Sequence, residues 1–160
     1  MRSKSAQWFV CGIRYEKIME DGTQKKVTEN YIIDALSFTE AEERIIEEMS
    51  SYINGEYDVK TCAIAPFREI FFDESDQSDK WYKAKLDFIT IDEKTEKEKR
   101  AHVCYLVNAD SIDGALKSIK EVMGGSMIDY VVISVAETNY FDVFEYKKKS
   151  DNDGESEAGA

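Results

Sequence analysis

The chain writes one pattern twice. Tyr31-Ile32-Ile33-Asp34-Ala35-Leu36-Ser37 runs into helix-like sequence through Ala41, Ile45, Glu47 and Met49. Seventy-four positions later, Tyr105-Leu106-Val107-Asn108-Ala109-Asp110-Ser111 leads to Ala115, Ile119, Glu121 and Met123. Upstream, Trp8-Phe9 and Trp81-Tyr82 each precede an alternating run. A period this long is the signature of two copies of one supersecondary unit.

Within the first copy, Phe9, Cys11, Ile13 and Tyr15 alternate with polar or small residues, the period of a half-buried strand. Glu20-Asp21-Gly22-Thr23 supplies turn chemistry, and Val27 to Leu36 returns as a second strand. Thr39-Glu40-Ala41-Glu42 has the spacing of a capping box, with Thr39 as N-cap. Ala41, Ile45, Ile46, Met49 and Ile53 make a helical stripe that Asn54-Gly55 ends. Tyr57 to Ala65 alternates as a third strand, and Pro66, with no N–H for a ladder, closes it.

The second copy keeps this order. Tyr82, Ala84, Leu86 and Phe88 form one strand face; Asp92-Glu93-Lys94-Thr95 is the turn; His102 to Asn108 returns. Asp113 takes the N-cap place, Ile112, Ala115, Leu116, Ile119, Val122 and Met123 make the stripe, and Gly124-Gly125 stops the helix. Tyr130 to Val135 is nearly continuous in apolar residues, which predicts a central strand buried on both faces. Tyr140 to Tyr146 continues it or adds an edge strand.

One β-β-α-β copy alone leaves a sheet face uncovered. The expected fold is therefore α+β, a tandem duplication forming a continuous, mainly antiparallel sheet with both helices packed on one face. A single domain over 6–146 is expected, with repeats at 6–72 and 80–146 joined by the acidic link Asp73 to Asp79. The tail 147–160 lacks any large apolar residue and is expected to be disordered.

The formal net charge is −12. The tail holds three lysines and four acids and so contributes little; the acidity belongs to the body. Such a body is repelled by phosphate backbones unless its cations gather on one face, which disfavours duplex DNA and acidic membranes. No apolar run approaches the ~20 residues of a membrane span, and Met1-Arg2-Ser3-Lys4-Ser5 lacks the apolar core of a secretory signal. Cys11, Cys62 and Cys104 are scattered and odd in number, as expected of reduced core residues in a cytoplasmic protein.

Few residues propose chemistry. His102, the one histidine, sits two residues before Cys104, so both belong to one strand face. A Cys–His nucleophile needs a third orienting group and an oxyanion site, and any two residues at that spacing share a face. Asp73, Glu74, Asp76 and Asp79 lack the glycine and glutamate of a calcium loop. Asp87 with Asp92-Glu93-Lys94 has a nuclease-like order, but the latter three fall in a hairpin turn. No catalytic residue, metal or cofactor is expected.

Aromatic residues on strands are the other signal. Trp8, Tyr15, Trp81 and Tyr82, with Lys83 and Lys85, form a candidate aromatic and basic binding surface. Stacking platforms for single-stranded nucleic acid are built this way, and so are protein interfaces. Further cations, among them Lys17, Lys25, Lys26, Lys80, Lys97, Lys99 and Arg100, fall near strand ends and hairpin tips.

Arg14-Tyr15, Gln24 to Glu29, Asp34 to Glu42 and Ile45 to Met49, with Trp81, Lys83 to Leu86 and Asp129 to Thr138, make the chain resemble a family of domains of unknown function. The resemblance spans all but the tail. It implies Bacteroidetes-type bacteria, their phages or mobile elements as the setting, and brings no activity. The expectation is a non-enzymatic binding or assembly module, a homo-oligomer or the partner of another protein. A single-stranded nucleic-acid-binding accessory protein with an acidic tail is the alternative, and a small-molecule or metal-dependent enzyme the third.

Overall fold

The computed structural model describes residues 2–146 except Glu74 and Asp76. The tail 147–160, expected to be disordered, lies outside the described residues. The elements are β1 (Arg2–Lys4), β2 (Trp8–Ile18), β3 (Gln24–Asp34), α1 (Phe38–Tyr52), β4 (Tyr57–Ile64), β5 (Glu69–Phe72), β6 (Lys80–Ile91), β7 (Glu98–Ala109), α2 (Ile112–Gly124), β8 (Asp129–Glu137) and β9 (Tyr140–Phe144). The α+β class read from sequence holds. No helix among the described residues is long and apolar enough to cross a membrane.

Two long hairpins organise the strands. β2 and β3 pair from Trp8↔Asp34 to Ile18↔Gln24, and β6 and β7 from Lys80↔Ala109 to Ile91↔Glu98. The first turn closes through Gly22 N–H to Met19 O at 2.9 Å, with Gly22 at φ 84°, where glycine carries no steric cost. The second closes through Asp92 N–H to Lys97 O, also at 2.9 Å.

The strands form two sheets rather than one continuous sheet. One has the order β1-β5-β7-β6-β8, the other β4-β2-β3-β9. Each carries its own helix: α1 packs on β2, β3 and β4, and α2 on β7 and β8. Ala41, Ile45 and Met49 are the buried stripe of α1, and Ala115, Ile119 and Met123 that of α2. Both start two residues before the sequence expectation. Ser37 and Ser111, not Thr39 and Asp113, are the N-caps; their hydroxyls accept from Glu40 N–H and Gly114 N–H at 3.1 and 3.0 Å.

The chain divides into two compact units, each described here by itself: Met1–Ala6 with Pro66–Tyr140, and Gln7–Ala65 with the described part of Phe141–Ala160. The boundary between the two units lies at Ala65/Pro66. The reason is β5, which runs parallel to β7 (Glu69↔Tyr105 to Phe71↔Val107) and so joins the later unit. Each sheet also recruits a strand distant in sequence, β1 in one and β9 in the other.

In both units the strand after the helix pairs with the first strand of the hairpin, giving β4-β2-β3 and β8-β6-β7. Both pairings carry a bulge at the same place, between Gly12 and Ile13 opposite β4 and between Lys85 and Leu86 opposite β8. β8 is thus an edge strand, not the central strand its composition suggests; Val131 and Ile133 are 37% and 52% exposed. Apolar content reports side-chain type, whereas strand order is set by non-local pairing.

Candidate functional site

The residues of β6 and β7 alternate between two environments. Tyr82, Ala84, Leu86 and Phe88, with Val103, Tyr105 and Val107, enter the core cluster that includes Ala115, Ile119 and Met123 of α2. By the period of two, Lys83, Lys85 and Asp87 of β6 and His102 and Cys104 of β7 belong to the opposite face. The hairpin register sets Asp87 against His102 and Lys85 against Cys104. These five residues line a cleft of about 560 Å³, with Pro66 and Ile133 among its apolar walls.

Asp87 is buried at 5% exposure, where an ionised carboxylate is costly unless paired. Both of its oxygens are engaged. His102 Nδ1 lies 2.5 Å from Oδ1, and Arg100 Nη1 lies 3.5 Å from Oδ2. A carboxylate at Nδ1 favours the tautomer that donates from Nδ1, leaving Nε2 as the unengaged ring nitrogen of a side chain that is 88% exposed. Among the described residues neither Lys83 nor Lys85 is held in an ion pair. The cleft is therefore locally cationic within an acidic chain.

Cys104 is half-buried on this face. Burial pushes its thiol up, against the lowering influence of Lys83 and Lys85. The proton stays on at neutral pH, opposite to what an activated nucleophile needs. His102 and Cys104 do share a face, but the histidine's partner is Asp87.

At the corresponding positions of the other unit stand Val10, Gly12 and Arg14 on β2, opposite Ile32, Asn30 and Thr28 on β3. The same backbone scaffold therefore carries the lysines, the buried acid and the histidine in only one of its two forms. That unit has its own cleft of about 580 Å³, where Arg14, Lys26 and Lys60 are balanced by Glu16, Glu56 and Asp58, all exposed.

Of the residues read from sequence as a candidate surface, Trp8 and Tyr15 belong to one unit, and Trp81, Tyr82, Lys83 and Lys85 to the other. Lys83 and Lys85 reach the cleft, but Trp8, Trp81 and Tyr82 are only 1%, 8% and 2% exposed. Tyr82 sits in the helix-facing row, and Trp81 packs edge-on against Phe72 at 5.7 Å. Stacking on these rings requires opening the interior. Tyr15 is half-buried; its hydroxyl donates to Glu29, and burial together with that carboxylate pushes the phenol up to about 12.

Among the described residues no three His, Cys, Asp or Glu side chains gather as a metal site; Glu74 and Asp76 lie outside them. Asp92 serves its turn, accepting from Lys94 N–H at 2.9 Å and lying 3.4 Å from Lys99 Nζ. The Asp87–His102 pair was not read from sequence, although a hairpin register fixed by the Asp92 turn would have brought it out.

The sequence profile of a domain of unknown function, DUF4494, matches residues 7–146. The chain belongs to this family. The DUF4494 span takes in β2 to β9, and with them both helices, the whole cleft and its charged residues; β1 precedes it. No curated protein and no solved structure matches the chain.

Proposed function

We propose that this chain is a non-enzymatic binding module, and that the cleft on β6 and β7 receives an acidic, partly apolar segment of a protein partner. The observation that carries this reading is the pair Lys83 and Lys85, free of ion pairs among the described residues and set beside Pro66 and Ile133 in a chain of net charge −12. Unpaired lysines bordering apolar walls suit a ligand that alternates carboxylates with aliphatic groups. The repeat supports it too: duplication of a β-β-α-β unit, followed by divergence of one open face, would leave a scaffold on one side and a site on the other. A cytoplasmic setting accords with three free thiols.

Single-stranded nucleic acid is favoured less, because the rings that would stack on bases are buried. Fluorescence polarisation separates the two. A labelled peptide of alternating glutamate and leucine is expected to bind, more weakly as salt rises. Lys83→Gln with Lys85→Gln should cost about 1–2 kcal/mol, roughly a five- to thirty-fold loss of affinity. Binding of a labelled oligothymidylate instead of the peptide would establish the nucleic-acid reading, and binding of neither would end the binding reading of this cleft.

A further inference from the structure

Cys11 on β2 and Cys62 on β4 stand directly opposite in antiparallel register, with Sγ to Sγ 3.8 Å, and both are free thiols. The ladder defines what kind of pair they are. Ala65 N–H donates to Trp8 O at 2.8 Å, one step beyond the Phe9↔Ile64 pair, which makes Trp8 and Ala65 a hydrogen-bonded pair. Such pairs alternate with non-hydrogen-bonded ones, so Cys11 and Cys62, three steps on, fall at a non-hydrogen-bonded position. There the Cα atoms come closest, about 4.5 Å apart, inside the range a disulfide spans. Bonding requires the sulfurs to move together by roughly 2 Å, a side-chain adjustment.

We propose that Cys11 and Cys62 are a thiol–disulfide latch, closed by a peroxide, that fastens the edge strand β4 to β2. Cys11 is fully buried, whereas Cys62 is half-buried on an edge strand, so oxidant meets Cys62 first. The Cys62 sulfur attacks one peroxide oxygen, the O–O bond breaks, and a sulfenic acid and one water result. The Cys11 sulfur then attacks the Cys62 sulfur, the S–O bond breaks, and hydroxide leaves with the Cys11 proton as a second water. Two thiols have lost two electrons and two protons, and hydrogen peroxide has become two waters. Thiol–disulfide exchange with a small dithiol reopens the bond.

Burial pushes both thiols up, so the pair stays protonated and responds to sustained oxidant rather than to a brief pulse. The closed loop would contain β3 and α1, and closing it restricts the unfolded chain. The other unit has Ala84 opposite Val135 at the matching place, so the latch belongs to one unit alone.

The full chain, treated with hydrogen peroxide, should lose about 2 Da and two of its three titratable thiols. Its melting temperature should rise, and dithiothreitol should reverse each change. Peptide mapping of the unsubstituted protein should link the Cys11 and Cys62 peptides, a readout that no folding defect in a variant can obscure. Cys104→Ser should still form the Cys11–Cys62 cross-link, and Cys62→Ser should lose it. A gain of about 16 or 32 Da at Cys62 without the cross-link, or covalent dimers in place of it, would overturn the proposal.

Discussion

Asp87 and His102 face each other across the β6–β7 ladder, Oδ1 2.5 Å from Nδ1. The buried member is the acid and the exposed member is the base. Asp87 is thus committed to His102 and Arg100, and its charge is not spent on Lys83 or Lys85. That division leaves Lys83 and Lys85 outside any ion pair among the described residues.

The exchange of outer strands predicts that neither half folds alone. A cut at Gln77 leaves β5 in the first fragment, though its partner β7 lies in the second. It also parts β9 from the sheet of β4, β2 and β3. Residues 1–77 and 78–160, expressed separately, should lack cooperative thermal transitions by circular dichroism and regain one when mixed. A sharp transition in either fragment alone would show that unit to be autonomous.

Gly12 predicts an asymmetry between the units. A Cβ there would stand 2.5 Å from Thr61 Oγ1 and 3.2 Å from Asn30 Oδ1, and Thr61 Oγ1 also accepts the Gly12 N–H at 3.1 Å. Gly12→Ala should therefore destabilise by about 1–3 kcal/mol in chemical denaturation. Thr61→Ala in the same chain should recover part of the loss by removing the obstructing hydroxyl. The corresponding site, Lys85, already holds a full side chain, so Lys85→Ala should be nearly neutral, within about 0.5 kcal/mol. Equal costs at Gly12 and Lys85 would contradict the crowding argument.

Asp142 predicts a pH signature. Burial pushes its carboxyl up, against the lowering effect of the Val143 N–H that it accepts at 2.8 Å. Glu48 is pushed up as well, by burial first and then by Glu47 and Asp142. A native value above the unfolded one, near ~4, means this contribution is full below the unfolded value and is lost as pH rises through the native one. Asp142→Asn keeps the acceptor and removes the charge. It should melt above the parent at pH 7, and the two curves should converge as pH falls toward about 4. A difference independent of pH would mean that the charge is not responsible.

The hairpins and the buried helix stripes were legible because they are local: alternation marks β2 and β6, and Ala41-Ile45-Met49 and Ala115-Ile119-Met123 hold helical spacing. The helix starts were misplaced because Ser37-x-x-Glu40 and Thr39-x-x-Glu42 both satisfy the capping pattern, and Ser37 meets the actual first turn. The parallel partner of β5 and the edge position of β8 depend on strands distant in sequence, which periodicity does not encode. Of the residues singled out from the sequence, Lys83 and Lys85 line the cleft, whereas Trp8, Trp81 and Tyr82 are buried. Yet Tyr82 shares its row with Ala84, Leu86 and Phe88, and that pattern alone marks a core position.

The central claim is that one open face, that of β6 and β7, does the binding. Amide resonances of the full chain, followed by NMR during titration with the glutamate–leucine peptide, test it most directly. Lys83, Lys85, His102 and Cys104 should shift progressively, while Val10, Gly12, Thr28 and Asn30 at the matching positions of the other unit stay in place. Shifts centred on that second set, or none at about 1 mM peptide, would contradict the account.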